Sequence, residues 1–594
     1  MIGKRKQWLL GTLLLAAAAA ATAGLFSVSR GKWSDAIIDS GREWIIPDAI
    51  SRGELLYRDV VYWVGPFTPY LHALFLKVFG STFSTLALAG TLDSLGFLAA
   101  MYYATRRVAG GRVAVVATVL AVPVIVFMPN SGGVLIGMGY RHAATFSLLA
   151  IVVASGLGRV SRNASLAAAG ALAGLSGLCR TEWGAATLLS LLVAAGLRAR
   201  RRSEIPREAL ILSGAATGVF GTGVSLFVAL AGWRAVIEEG HLLLTGLPEE
   251  TRTFLWNFSG VGDWLRGLAQ LLYSSAIWLG AFLALRWLAL KRERAVSGGD
   301  AILQLAIVLL GAALGALLGG GSGAVLFSAA PAVCLTAFLV GTLRREHAHG
   351  FPLMAFGLMG LLVSHRRFFH IGDSWYVGNP LAFALVCGAG LLHFSITAQT
   401  SRSRRTRLSI FVASGIALLV CLAFLGRFLQ YRSDERVPIP GTGGMLSARP
   451  ALARDITELA ETIRHTTRPD EGLVVFPEGE LLNFLSERRN PSRYKMYLPG
   501  YLGTANEKEV LRDLERSAPR VAVLWPRQTP EYGPMTFGVG YGTLTAGWVR
   551  HEFVCVRDSG RWDRRIRLCF RVRSSSAASD ASRAHPIDLG RISP

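Results

Sequence analysis

The sequence predicts an α-helical polytopic membrane protein of about thirteen transmembrane helices with a small C-terminal extracytoplasmic α/β domain. Three observations carry this prediction: repeated apolar runs, basic residues in every second connection, and a change to mixed polar sequence beyond Leu429. The composition agrees. Of 594 residues, 52% are hydrophobic and only 17% charged, with a mean hydropathy of +0.41. A soluble domain carries about 25% charged residues. The formal charge of +23 comes from 62 Lys and Arg against 39 Asp and Glu. In a soluble chain that excess would point to nucleic acid; in a membrane chain its position decides its meaning.

A bilayer core needs about 20 mostly apolar residues per helix. Spans are expected near 7–28, 84–104, 113–129, 143–158, 164–180, 184–198, 208–231, 268–290, 301–319, 323–342, 351–365, 379–396 and 408–428. The pair around 164–198 is short enough to be half-inserted or tilted. Cytoplasmic loops are enriched in Lys and Arg. Basic residues precede the first span (Lys4, Arg5, Lys6) and follow spans two, four, six, eight, ten and twelve, from Arg106 and Arg107 to Arg404, Arg405 and Arg407. Those seven segments hold 22 of the 62 basic residues. The N-terminus is therefore expected in the cytoplasm and the C-terminal domain outside it. The basic start, apolar run and Ala21-Thr22-Ala23-Gly24 also resemble a signal peptide with a cleavage site; either way the chain after residue 30 lies outside.

The expected organisation is a membrane module over 1–429, whose first outer loop spans 30–83, an α/β domain over 430–575, and a Ser-, Ala- and Arg-rich tail over 576–594 expected to be disordered. In the outer domain, helix-like stretches at 450–466 and 507–516 alternate with apolar runs Leu473 to Phe476 and Val521 to Leu524, the pattern of a small α/β unit. Cys555 and Cys569 flank Trp562 symmetrically, so a hairpin centred there would pair them, while the turn signal Asp558-Ser559-Gly560 argues against that register. No CxxC, HExxH, Walker loop or dinucleotide fingerprint is present.

The chemistry is expected in the first outer loop. Asp35, Asp39, Glu43, Asp48, Glu54 and Asp59 crowd its first half. Asp39 and Glu43 are four apart and share a helix face. Two adjacent carboxylates suit a base and a metal or substrate ligand; a solvated loop face is the competing reading. The loop aromatics Trp33, Trp44, Tyr57, Tyr62, Trp63, Phe67 and Tyr70 read as an interfacial belt.

Asp39-Ser40-Gly41-Arg42-Glu43, the stretches Gly53 to Asp59 and Gly65 to Tyr70, and Phe79-Gly80 resemble the first outer loop of the GT-C membrane glycosyltransferases, a superfamily that includes protein mannosyltransferase-like enzymes, the lipid A aminoarabinose transferase and the Rhizobium lipopolysaccharide glycosyltransferase group. Leu178 to Glu182 resembles the family's turn between two short spans, with Arg180 where Lys is more usual, and Phe484 to Tyr494 resembles a segment of the outer domain in many bacterial members.

The resemblance implies an inverting enzyme in the cytoplasmic membrane. It would take a sugar from a polyprenyl-phosphate donor at the outer face and pass it to a glycan, glycolipid or protein of the cell envelope. Nucleic acid is not an expected partner. Asp39 matches the position of the base and Glu43 stands ready to assist it. The leaving phosphate needs positive charge where its own charge develops. Outer-face cations for that task are Arg366, Arg367, His370, Arg180 and Arg141, which run against the positive-inside trend; snorkelling to headgroups is the plainer reading. Glu182 and Asp59 are expected to assist the acceptor or a metal, against an Arg180–Glu182 ion pair and a structural role for Asp59. No cofactor is certain, and a divalent metal stays open. The competing function is a transporter or lipid flippase with a periplasmic domain, which would be expected to show internal repeats and mid-span ionisable residues.

Overall fold

The computed structural model describes residues 2–128, 139–156, 160–199, 201–241, 324–364, 378–397, 418–502, 506–527, 536–556 and 565–572, with isolated positions between them. The spans expected at 268–290 and 301–319, the first part of that at 408–428, the segment containing Arg366, Arg367 and His370, and the tail lie outside the described residues.

The long apolar runs ahead of residue 430 are helical wherever they are described. Helix α1 spans Ile2–Ser29. The first outer loop carries α2 (Asp39–Ser51) and α3 (Phe67–Phe79). The bundle continues with α4 (Phe83–Ala109), α5 (Gly111–Ala121), α6 (Gly139–Ala154), α7 (Arg162–Cys179), α8 (Thr181–Arg198) and α9 (Glu204–Ala231). Farther along are α10 (Ala324–Leu343), α11 (Gly350–Val363), α12 (Gly378–Thr397) and α13 over 418–432. Helices α4 and α9 are each long and apolar enough to cross a membrane, with segment hydropathies of 1.4 and 1.6.

The stretch read as half-inserted or tilted forms two 18-residue helices, α7 and α8, hinged at Arg180. At 1.5 Å per residue each is about 27 Å long, close to a bilayer core. Small residues let α7 and α9 approach: a Cβ on Gly174 would stand 2.7 Å from the Ala216 carbonyl. Past α5 the backbone widens into a π turn, Val122–Val126, around Pro123. Arg427 of α13 donates to the Pro123 carbonyl at 3.0 Å, and the Tyr431 hydroxyl donates to the Phe127 carbonyl at 3.0 Å. These bonds satisfy groups that a regular helix would have paired.

After α13 the chain leaves the bundle and folds as an α/β unit. A two-stranded ribbon, β1 (Val437–Pro438) with β2 (Ser447–Ala448), precedes α14 (Pro450–Thr466). Proline at the first helical position suits an amide that no helix could use. Helix α14 buries Ala453, Ile456, Leu459, Ala460 and Ile463, one stripe at helical spacing. The main sheet has β3 (Leu473–Phe476), β4 (Val521–Leu524), β5 (Phe553–Val556) and β6 (Arg567–Arg571) in the order β3-β4-β6-β5. Strands β3 and β4 run parallel and read as continuous apolar runs because both faces are covered. The crossover between them carries α15 (Leu481–Ser486) and α16 (Glu507–Ser517). Helix α17 (Thr543–Glu552) leads into β5. Cys555 sits opposite Cys569 in the β5–β6 ladder and the two form a disulfide. The register centred on Trp562 holds, despite the off-centre turn signal.

The α/β unit sits on the first loop. The Val61 amide donates to the Arg493 carbonyl at 3.0 Å and Arg493 donates to the Tyr57 carbonyl at 2.8 Å. Lys495 pairs with Glu54 at 3.1 Å. Trp63 packs on Tyr501 at 5.4 Å between ring centroids, and Trp44 meets Phe484 edge-on at 5.0 Å. Trp33, Trp44, Tyr57 and Tyr62 are buried. This differs from the belt expected from sequence: Trp44 and Trp63 pack on the α/β unit, Tyr57 on Phe227 of α9 and Trp33 on Phe26 of α1.

Candidate active site

Helix α2 is set in place from both sides. The Asp35 carboxylate accepts from the Ile37 and Ile38 amides at 3.0 and 2.9 Å, just ahead of the first turn. On the outer side, α2 meets the turn Pro477-Glu478-Gly479-Glu480 that follows β3. Gly41 makes this contact possible: a Cβ there would stand 2.5 Å from the Leu481 nitrogen and 2.9 Å from the Glu480 carbonyl carbon.

Asp39 lies on the first turn of α2, with its carboxylate largely covered. The Arg42 guanidinium reaches Asp39 at 2.8 Å, Glu43 at 3.9 Å and Glu478 at 4.0 Å. Glu478 also pairs with Arg527. Burial pushes the Glu43 carboxyl above the usual carboxylate range, against the opposing charges of Arg42 and His72. Burial likewise raises the Asp35 carboxyl, against the bond it accepts from Ile38. Glu480 is fully buried, one of its oxygens has no hydrogen-bond partner, and its carboxyl is pushed up to about 8 by burial. Two guanidinium groups thus sit among acids from two parts of the chain.

A second group of polar residues adjoins this one. Arg180, at the hinge between α7 and α8, lies 3.8 Å from the centre of the Tyr140 ring and 4.0 Å from Glu182. It is close enough to Glu43 for their charges to interact. The Glu182 side chain is about half exposed. Deeper, Asp93 of α4 stands between two histidines, 3.2 Å from His72 Nε2 of α3 and 2.8 Å from His142 Nε2 of α6. These three ligand atoms lie within 4.8 Å of one another, so a divalent metal is compatible with the chain. Arg141 is buried rather than lying along the surface; it donates to Ser94 at 2.7 Å and its charge faces Asp93.

The structure therefore brings Asp39, Glu43 and Arg180 together, with Glu182 beside Arg180 and Arg141 behind Asp93. It sets Asp59 apart: its carboxylate accepts from the Leu55 amide at 2.8 Å and pairs with Arg58 at 2.7 Å, closing a turn. Sequence reading missed Asp93, His72, Glu478, Glu480 and Arg527. An acid inside an apolar run, as in Thr91-Leu92-Asp93-Ser94-Leu95, was a usable signal; the contacts of Glu478, Glu480 and Arg527 with α2 and with each other have no local signature.

The fold is similar to one already solved in another membrane protein. Two structures of ArnT from Cupriavidus metallidurans carry the comparison. The apo form is 13% identical and matches 96% of this chain and 98% of its own, with a TM-score of 0.53. The form bound to undecaprenyl phosphate is 14% identical and matches 95% and 98%, with a TM-score of 0.52. The oligosaccharyltransferase AglB of Archaeoglobus fulgidus, in complex with an inhibitory peptide and a dolichol-phosphate, is 14% identical over 98% of this chain and 76% of its own, at a TM-score of 0.48. No protein-family model and no curated protein sequence matches the chain.

Proposed function

We propose that the chain is an inverting glycosyltransferase that moves a sugar from a polyprenyl-phosphate donor to a cell-envelope acceptor at the outer face of the cytoplasmic membrane. The observation that carries this reading is the seat of Asp39: a carboxylate on the first turn of α2, held by Arg42 under Glu478 and grouped with Glu43 and Arg180, within a GT-C fold.

In this reading Asp39 takes the proton of the acceptor hydroxyl as its oxygen bonds to the anomeric carbon. The bond from that carbon to the phosphate oxygen breaks, and polyprenyl phosphate departs with the electron pair. Attack opposite the leaving group inverts the centre. Glu43 assists Asp39. Arg180, with Arg366, Arg367 and His370, answers the charge developing on the phosphate; Arg141 supports it from behind Asp93. Thirteen spans, a cytoplasmic N-terminus and an extracytoplasmic outer domain complete the topology, with Glu182 at the acceptor side and Asp59 fixing the loop.

The test is transfer itself. The purified chain in lipid is given undecaprenyl-phosphate-linked sugars, and envelope glycans are compared in cells with and without the gene. Transfer by the wild type and none by Asp39→Asn is the expected result. Asp93, an acid within a span, favours the transporter or flippase reading. Donor lipid crossing the bilayer with no sugar transferred would select that reading instead.

A further inference from the structure

We propose that His72, Asp93 and His142 bind a divalent transition-metal ion of the zinc class and so pin α3, α4 and α6 together beneath the outer loop.

The ligands come from three helices and are all enclosed, each side chain less than a tenth exposed. A tetrahedral ion bound near 2 Å places its ligand atoms about 3.3 Å apart. The two measured pairs, 3.2 Å for His72 Nε2 to Asp93 Oδ2 and 2.8 Å for His142 Nε2 to Asp93 Oδ1, fall just inside that spacing.

The decisive detail is His142. Its Nε2 stands 2.8 Å from Asp93 Oδ1, so two enclosed imidazoles converge on the two oxygens of one carboxylate. All three ligand atoms lie close enough to share one ion. The opposite nitrogen completes the pattern. His142 Nδ1 lies 3.0 Å from the Thr68 hydroxyl. With Nδ1–H donating there, the lone pair of Nε2 is free for a metal, the usual arrangement around ligating histidines.

Two imidazoles and one carboxylate select a borderline ion over Ca²⁺ or Mg²⁺, which prefer all-oxygen shells. Local charge tempers the affinity. Arg141 already offsets Asp93, so the ion adds positive charge that only the nearby Glu43, which faces His72, takes up in part. The ion is accordingly exchangeable with a chelator. No sequence motif announces this site because its ligands lie on three separate helices.

The experiment uses the full-length chain in lipid nanodiscs, stripped with a chelator and titrated with Co²⁺. The expected result is about one Co²⁺ per chain with the visible absorption of a tetrahedral site, displaced by Zn²⁺. The band is lost in Asp93→Asn and in the double variant His72→Gln with His142→Gln. Thr68→Val, which keeps the shape and removes the hydroxyl, weakens Zn²⁺ binding by roughly 10- to 100-fold. Absence of the band in the folded wild type overturns the proposal, as does an unchanged band in Asp93→Asn. The wild-type titration decides even if a variant fails to fold. Neither readout needs a sugar donor, so failure here and failure of the transferase reading are separate results.

Discussion

Arg42 Nη2 lies 2.8 Å from Asp39 Oδ1, three residues along the same helix. The base proposed for the reaction therefore rests in an ion pair through one of its two oxygens. A charge-neutral copy of Asp39 keeps the shape of the site but cannot accept the proton. Asp39→Asn is expected to lower the transfer rate by roughly 100- to 10,000-fold, the usual contribution of a positioned base. Binding of undecaprenyl phosphate should be retained. Single-turnover transfer with a labelled donor checks this, and an unchanged rate eliminates Asp39 as the base.

Donor and acceptor are expected to respond differently to the basic pair of the outer boundary. Arg366→Ala combined with Arg367→Ala should raise the KM for the lipid-linked donor more than that for the acceptor. Steady-state kinetics with each substrate varied in turn measures the split. Equal effects on both would refute phosphate contact by this pair.

Gly41 lies where α2 meets the backbone of the turn after β3. Any side chain there would run into the backbone of Glu480 and Leu481. Gly41→Val should destabilise the chain by about 1–3 kcal/mol, the usual cost of overpacking. It should also reduce transfer, because the domain is pushed off Arg42. Thermal unfolding in detergent and an activity assay on the same sample test both halves; wild-type stability would mean that the domain yields without strain.

Glu480 predicts a pH dependence with a definite sign. Its carboxyl is pushed up to about 8 by burial, against an ordinary value of 4.5. Between those values the folded protein holds a proton that the unfolded chain has released. The contribution of Glu480 to stability therefore falls as pH rises from about 4.5 to 8. Glu480→Gln keeps the neutral form throughout, so it should match the wild type near pH 4 and exceed it near pH 9, by on the order of a few kcal/mol. Unfolding curves across that range decide it; parallel pH profiles would show that Glu480 ionises freely in the folded state.

The topology predicts that a reporter enzyme fused after residue 440 is active only outside the cytoplasm. A cytoplasmic signal would overturn the odd number of spans.

Much of the architecture was legible because its physics is local. A run of apolar residues has one stable way to cross a bilayer, so the helices from Phe83–Ala109 to Gly378–Thr397 follow the apolar runs within a few residues. The strands Leu473–Phe476 and Val521–Leu524 were legible because parallel strands covered on both faces are continuous short apolar runs. Asp39 and Glu43 stood out because a cluster of acids beside a membrane is unusual. What stayed hidden is long-range. Glu478 approaches Arg42 across more than 400 positions, and no pattern in either segment names the other. The aromatics of the first loop were read as facing headgroups because nothing in their own sequence announces the distant rings they pack on, Phe484 for Trp44 and Phe227 for Tyr57.

The bonds between the first loop and the outer domain join residues 436 and 440 positions apart, Tyr57 with Arg493 and Val61 with Tyr501. A ribosome adding about 5–20 residues per second reaches the second half of each pair roughly 20–90 s after the first. During that interval α2 lacks the contacts of Arg42 with Glu478 and of Trp44 with Phe484. The contact between Arg42 and Glu478 thus forms only after the second of these segments has been made, however early the helices fold.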